Sequence, residues 1–80
     1  MEILDIKPTV HYLAYHQNVA WDLIILAILS PTKVFPNKRR GKNRYTYFKC
    51  FKKYAVEVHV EVDITKNVWV INAFKNEWTK

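Results

Sequence analysis

FKCFKKYAVEVHVEVDITKNVWVINAFK, residues 48–75, decides the fold, because apolar and polar side chains alternate along most of its length. Alternation with a period of two places every second side chain on the same face of a β-strand. Interruptions at residues 52–53 and 64–67 predict two turns, and therefore three antiparallel strands. His59 and Asn72 stand out within this pattern, because a valine has a higher strand propensity than either of them.

The turns predict how the three strands pair. If residues 52–53 form a two-residue hairpin turn, Thr46 lies opposite His59. If residues 64–67 form the next loop, His59 also lies opposite Asn72. The three polar side chains would then form one row across the sheet.

The same register predicts which side chains share a face, and it pairs Val60 with Ile71. The predicted core face carries Tyr45, Tyr47, Val56, Val58, Val60, Val62, Trp69, Ile71 and Ala73. The predicted open face carries Arg44, Thr46, Phe48, Glu57, His59, Glu61, Val70, Asn72 and Phe74. An open face of an antiparallel sheet can be polar without any function, so the row of polar residues is a candidate site only.

The remainder of the chain predicts two helices ahead of the sheet. Thr9 suits the start of the first helix, Asn18 is a good N-cap for the second, and Pro31 prevents the second from continuing. The predicted elements, in order, are a strand, two helices, an extended piece and three strands at 2–6, 10–17, 19–29, 34–35, 44–51, 54–63 and 68–74. The predicted fold class is α+β, with an N-terminal helical hairpin packed on one face of a three- to four-stranded antiparallel sheet.

Composition indicates one packed domain over residues 1–80. Half of the residues are hydrophobic and only one is glycine, which excludes a disordered chain. The single cysteine, Cys50, cannot form an internal disulfide, and no stretch resembles a signal peptide. The longest apolar run, 19–29, is too short to cross a bilayer. We therefore expect a cytoplasmic protein with no membrane association.

The positive charge is concentrated in one segment. Nine of the 13 Lys and Arg residues lie between positions 33 and 53, where there is no Asp or Glu. They are Lys33, Lys38, Arg39, Arg40, Lys42, Arg44, Lys49, Lys52 and Lys53. Aromatic residues alternate with them, a mixture that suits phosphates and stacked bases. The segment predicts a polyanionic partner, RNA first and DNA as the alternative, although a solvated basic hairpin would have the same composition.

Several other kinds of site are not supported by the sequence. The three histidines and one cysteine have no zinc-ligand spacing, since His11 and His16 are five residues apart and fall on different faces of a helix. There is no glycine-rich phosphate loop and no nucleophile elbow. We therefore expect neither a metal nor a cofactor.

The order of elements resembles a known group of nucleases. The segments VHYLAYHQNVAWDLIILAILSPTKVF, GKNRYTYFK, VEVHVEVD and VWVINAFK together look like small proteins of the barnase, EndoU, colicin and RelE-like group, above all its short RelE- and BrnT-related toxins. His11, the Ser30-Pro31 pair and the strands at 45–49 and 71–73 occupy the matching places. Asn72 stands where the group usually has threonine or serine, and the usual arginine of the first helix is absent.

The resemblance implies a metal-independent ribonuclease in which a ribose 2'-hydroxyl attacks the adjacent phosphate. Such chemistry needs a base, an acid and cations near the developing charge. The candidate catalytic residues are His59, Asn72, Arg44 and His11. The candidate nucleic-acid-binding residues are Lys38, Arg39, Arg40, Lys42, Thr46, Phe48, Lys49, Lys52 and Phe74.

Two other functions remain open from the sequence. The same surface could bind nucleic acid without cleaving it. Alternatively, the apolar helical pair, which includes Trp21, could dock on an antitoxin protein or on a second copy of the chain.

Overall fold

The computed structural model describes residues 5–15 and 19–77 and has the predicted α+β class. Its elements are β1 (Asp5–Pro8), α1 (Val10–Tyr15), α2 (Trp21–Leu29), β2 (Lys33–Pro36), β3 (Arg44–Cys50), β4 (Tyr54–Val62) and β5 (Asn67–Glu77). α2 begins at Trp21 with Ala20 at its N-cap position, so the prediction of Asn18 as the cap of a helix that starts at residue 19 is wrong. Asn18 itself, His16 and the start of the first predicted strand lie outside the described residues. No helix in the described part of the chain combines the length and the apolar character that crossing a bilayer requires.

The sheet has five strands in the order β1-β5-β4-β3-β2. β1 is parallel to β5, and the other three pairs are antiparallel. The predicted three- to four-stranded antiparallel sheet is therefore wrong in strand number and in the direction of one strand. Counting residues on either side of a turn can pair only strands that follow each other along the chain. β1 and β5 are separated by both helices and three strands.

The two helices pack on different strands, which corrects the predicted helical hairpin. α1 contacts β5, whereas α2 contacts β3 and β4. Thr9 begins α1 as predicted, because its hydroxyl accepts a hydrogen bond from the Tyr12 backbone N–H at 3.1 Å. The Thr9 N–H and hydroxyl both donate to the Val70 carbonyl, at 3.0 and 2.8 Å. These bonds fasten the start of α1 to β5.

The core lies between the sheet and the helices. It contains Tyr12, Val19, Ile24, Ala27, Ile28, Tyr47, Val56, Val58, Val60, Val62, Val68, Val70 and Ala73. The four alternating valines of β4 are buried as predicted, and each contributes roughly 1.5–3 kcal/mol through burial. Burial also raises the pKa of the Tyr12 and Tyr47 hydroxyls, with Tyr45 adding to the effect at Tyr47.

The two hairpins differ in regularity. The β3–β4 ladder is continuous and pairs Thr46 with His59, as predicted. The β4–β5 ladder also pairs His59 with Asn72, as predicted, but it then shifts by one residue and pairs Val60 with Val70. Ile71 is the extra residue of a β-bulge, so the predicted pairing of Val60 with Ile71 is wrong.

The bulge exchanges the faces of two residues. Val70, predicted on the open face, is fully buried in the core. Trp69, predicted in the core, pairs with Glu61 and belongs to the open face. A period-two count carried through a bulge assigns every residue beyond the bulge to the wrong face. The prediction counted from a loop at residues 64–67, which paired Asp63 with Val68, whereas the structure pairs Val62 with Val68.

The turn between β4 and β5 is organised by one carboxylate. Asp63 Oδ1 accepts hydrogen bonds from the Thr65 N–H, the Thr65 hydroxyl and the Asn67 N–H, at 2.9, 2.7 and 3.0 Å. Asp63 Oδ2 accepts one from Trp69 Nε1 at 2.9 Å. The Trp69 bond, followed by those from Thr65 and Asn67, holds the pKa of Asp63 well below its ordinary value of 3.8.

Candidate functional site

The open face of the sheet carries three rows of side chains that cross the strands. Register defines the rows as Lys33, Phe48, Glu57 and Phe74; then Phe35, Thr46, His59 and Asn72; then Arg44, Glu61 and Trp69. The middle row contains the three polar residues that sequence alternation had aligned. Thr46 is nearly buried between its neighbours at 9% exposure, whereas His59 and Asn72 are partly exposed.

A cleft of about 250 Å³ lies at His59 and Asn72 of this row and extends to Arg44 on β3. It is lined by His11, Asn37, Arg40, Arg44, His59, Val60, Ile71 and Asn72. We call the space that these residues line the cleft. It brings together all four residues predicted to be catalytic, from α1, β3, β4 and β5. Of the other predicted nucleic-acid-binding residues, Arg40 alone joins them in the lining.

His11 reaches the cleft because α1 begins at the bulge. The Thr9 hydrogen bonds to the Val70 carbonyl place the first turn of α1 beside Ile71. From the sequence, His11 was a candidate only because of the resemblance to the nuclease group, since strand register gives no information about a helix. His59 and Asn72 were candidates because of the strand register. All three side chains line the cleft.

His59 is held by a carboxylate on its own strand. Its Nε2 lies 2.6 Å from Glu57 Oε2, and the two side chains are only 25% and 23% exposed. Asn76 Nδ2 donates to the other Glu57 oxygen at 3.3 Å, and the Phe74 ring meets the imidazole edge to face at 5.5 Å. A carboxylate at Nε2 favours the tautomer with its proton there, which leaves Nδ1 as the proton acceptor for a ligand.

Arg44 and Glu61 form a second pair on the open face. Arg44 Nε donates to Glu61 Oε1 at 3.2 Å, and the side chains are 31% and 50% exposed. An ion pair this exposed contributes little to stability. The bond uses Nε, so the two terminal guanidinium nitrogens can still donate to a phosphate oxygen in the cleft.

Asn72 contributes an amide that is not satisfied within the described protein. Its Oδ1 is buried and has no hydrogen-bond partner among residues 5–15 and 19–77. A buried polar atom without a partner costs about 1–3 kcal/mol. Because this oxygen is buried, a ligand in the cleft can donate to it only after the Asn72 amide rotates, and a hydroxyl or amino group that did so would remove that cost.

The basic loop between β2 and β3 borders the cleft. Lys38, Arg39, Arg40 and Lys42 are all exposed there. The Asn37 N–H donates to the Arg44 carbonyl at 2.7 Å, and the Arg40 N–H donates to the Asn37 carbonyl at 3.0 Å. These bonds turn the loop back toward β3.

Lys49 and Lys52 lie away from the cleft. Lys49 Nζ donates to the Ser30 carbonyl at 2.8 Å, on the helix side of the sheet, where a cation suits the C-terminal end of α2. Lys52 is exposed in the β3–β4 turn. The structure therefore does not bring either lysine together with His59.

Sequence reasoning missed two contributors to this surface. Glu57 was placed on the open face without a role, although a Glu-x-His spacing on one strand puts both side chains on the same face. Asn37 lines the cleft from the loop, and no sequence pattern distinguished it from its basic neighbours.

No three His, Cys, Asp or Glu side chains in the described part of the chain group closely enough to hold a metal ion.

Comparison with protein-family models finds no match, and comparisons with curated proteins and with solved structures find no significant match either.

Proposed function

We propose that this protein is a metal-independent ribonuclease that cleaves RNA in the cleft. The observation that carries the proposal is the meeting of two histidines from separate elements, His11 and His59, with two arginines in one cleft. An acid, a base and cations are what transfer of a phosphate from one ribose oxygen to another requires.

The proposed mechanism assigns a role to each side chain. His59 Nδ1 accepts the proton of the 2'-hydroxyl while Glu57 holds Nε2. The 2'-oxygen attacks phosphorus, and the 5'-oxygen leaves with a proton from His11. Arg40 and Arg44 stabilise the additional negative charge on the phosphate oxygens. The products are a 2',3'-cyclic phosphate and a 5'-hydroxyl, so all atoms and protons are accounted for.

The proposal is tested with purified protein and end-labelled RNA in EDTA. We expect cleavage that leaves a cyclic phosphate, and no cleavage of the same sequence with 2'-O-methyl riboses, because the nucleophile is then blocked. His59→Ala should lower kcat/KM by a factor of about 100 or more, the usual contribution of a positioned acid or base. Lys53→Ala, purified in parallel, is the control for a contaminating nuclease and should cleave normally.

Three further variants separate the roles of these side chains. Glu57→Gln keeps an oxygen near the imidazole but removes the charge, so it should lower kcat with little change in KM if Glu57 only positions His59. Should His11→Ala abolish cleavage while His59→Ala and Asn72→Ala have no effect, the site would belong to α1 and not to the sheet. RNA binding without any cleavage would instead favour a nucleic-acid-binding protein that is not an enzyme.

An interaction module remains the second candidate, because the helices expose large apolar side chains. Leu13, Leu26 and Leu29 are 48%, 41% and 63% exposed. Such side chains on short helices suit contact with another protein molecule. Sedimentation over a range of protein concentrations should reveal self-association if the partner is a second copy, and Leu29→Glu should then abolish it.

A further inference from the structure

We infer that a groove beside the cleft binds an unpaired base, and that the substrate class is therefore single-stranded RNA. The groove has a volume of about 220 Å³ and is lined by Lys33, Phe35, Phe48 and Cys50 of β2 and β3. We call it the aromatic groove. The inference rests on the proposed function for the presence of RNA, but the base contact is tested separately from cleavage.

The aromatic groove presents ring surface that the fold leaves uncovered. Phe35 is 45% exposed, and its ring meets Phe48 edge to face with 5.8 Å between centroids. Nearly all of the lining is apolar. A base stacked on an exposed aromatic ring of this kind gains affinity with little dependence on sequence.

The aromatic groove is placed for the nucleotide next to the cleft. Phe35 pairs with Thr46, which pairs with His59, so Phe35 and His59 occupy one row, two strands apart. Adjacent strands lie about 4.8 Å apart, which sets Phe35 roughly 10 Å from His59 along the row. A strand whose phosphate occupies the cleft can therefore extend its neighbouring base across β3 toward Phe35.

Charge favours a nucleotide over a hydrophobic peptide in this groove. Lys33 lies in its lining, and the basic loop that borders the cleft follows β2 directly in the sequence. The segment from residue 33 to residue 53 has no acidic residue, and Glu57, which lies opposite Phe48 on the open face, is bound to His59. Addition of a peptide strand to the edge of β2 is disfavoured, because the four-residue strand begins with Lys33 and ends with Pro36. A paired base is stacked inside its duplex and cannot enter the groove.

The inference is tested by binding, with 2'-O-methyl oligonucleotides that cannot be cleaved. Fluorescence anisotropy compares a labelled single strand, the same strand in a duplex, and single strands with one abasic position moved along the chain. We expect Phe35→Ala to weaken binding of the single strand about tenfold, which corresponds to loss of one stacked base. Val34→Ala, on the opposite face of the same strand, is the matched control and should leave the affinity unchanged.

The decisive result is coupling between protein and base. One abasic position should weaken binding to the unmodified protein, and Phe35→Ala should weaken binding of that abasic strand no further. Equal losses on intact and abasic strands, or equal losses on single strand and duplex, would overturn the base subsite. The same would follow if sedimentation showed Phe35→Ala to dissociate an oligomer, since the groove would then be an interface. If Phe35→Ala and the abasic position are coupled in binding but the protein does not cleave RNA, the base subsite is supported and the proposed ribonuclease activity is refuted.

Discussion

The two hairpins of the sheet share β4, yet they are built differently. The β3–β4 hairpin has a continuous ladder and a turn of two exposed lysines. The β4–β5 hairpin has a turn held by Asp63, with Lys66 in the left-handed region at φ 70°, and a bulge at Ile71. The regular hairpin supplies a flat row of side chains. The bulged hairpin bends β5 where the cleft forms, so irregularity and candidate site coincide.

The largest expected effect is on the free energy of unfolding, at Val70, which pairs with Val60, and at Ile71, the extra residue of the bulge. Val70→Asp should lower the free energy of unfolding by about 3–5 kcal/mol, because it buries a charge without a partner. Ile71→Asp should cost clearly less, since Ile71 lies at the cleft and is partly exposed. Urea unfolding of both variants gives the comparison. A larger loss at Ile71 than at Val70 would support the regular ladder and contradict the bulge.

Deletion of Ile71 should disturb the cleft while leaving the protein folded. The shortened β5 would alternate without interruption, with Val70 and Ala73 still facing the core and Asn72 still opposite His59. We therefore expect the variant to fold. If the protein cleaves RNA in the cleft as proposed, cleavage should fall about 100-fold, because the side chains around the cleft move by an ångström or more. Circular dichroism and kcat/KM report the two properties. Ile71→Val keeps the bulge and serves as the control; cleavage unaffected by the deletion would show that the bulge has no role in the site.

Asp63, in the turn of the bulged hairpin, should make the stability of the protein to urea fall at acidic pH. The folded pKa of Asp63 is depressed, so the stabilisation by its carboxylate is fully present above the ordinary value near 3.8 and is lost as the pH falls below it. Asp63→Asn should lower the urea midpoint at pH 7 and flatten its decline between pH 4 and pH 2. Lys53→Asn, in the other turn, is the control. If both variants followed the unmodified pH curve, the Asp63 bonds would not stabilise the turn.

The smallest expected effect is on the salt dependence of RNA binding. If the basic loop contacts phosphates of single-stranded RNA, replacing Arg39, Arg40 and Lys42 with serine should flatten the slope of log affinity against log salt by about 2. Lys52→Ser, in the turn of the regular hairpin and away from the cleft, should change that slope by less than about 0.7. Titrations at four salt concentrations measure both. Equal changes per residue at the two places would mean that the cations act only through net charge.

Much of the sheet could be predicted from local pattern. The turn of residues 52–53 and the alternation of β4 determined the pairing of Thr46 with His59, because a two-residue turn leaves no freedom in register. The pairing of His59 with Asn72 was also right, but the assumption of an unbroken ladder beyond it was not. A bulge has no local signal in this sequence, since Val70 and Ile71 are equally apolar.

The sequence by itself determined the strands β3, β4 and β5, the helix start at Thr9, the basic segment and the row that contains His59, because all of these depend on neighbours a few residues apart. Only the tertiary structure decided that β1 joins β5 in parallel, that Ile71 bulges, and that His11, Arg40 and Arg44 meet Asn72 in one cleft. The physical reason is that these features follow from which apolar side chains can be buried together. Burial of Val68 and Val70 against the helices selects the bulge, and the bulge in turn receives the first turn of α1.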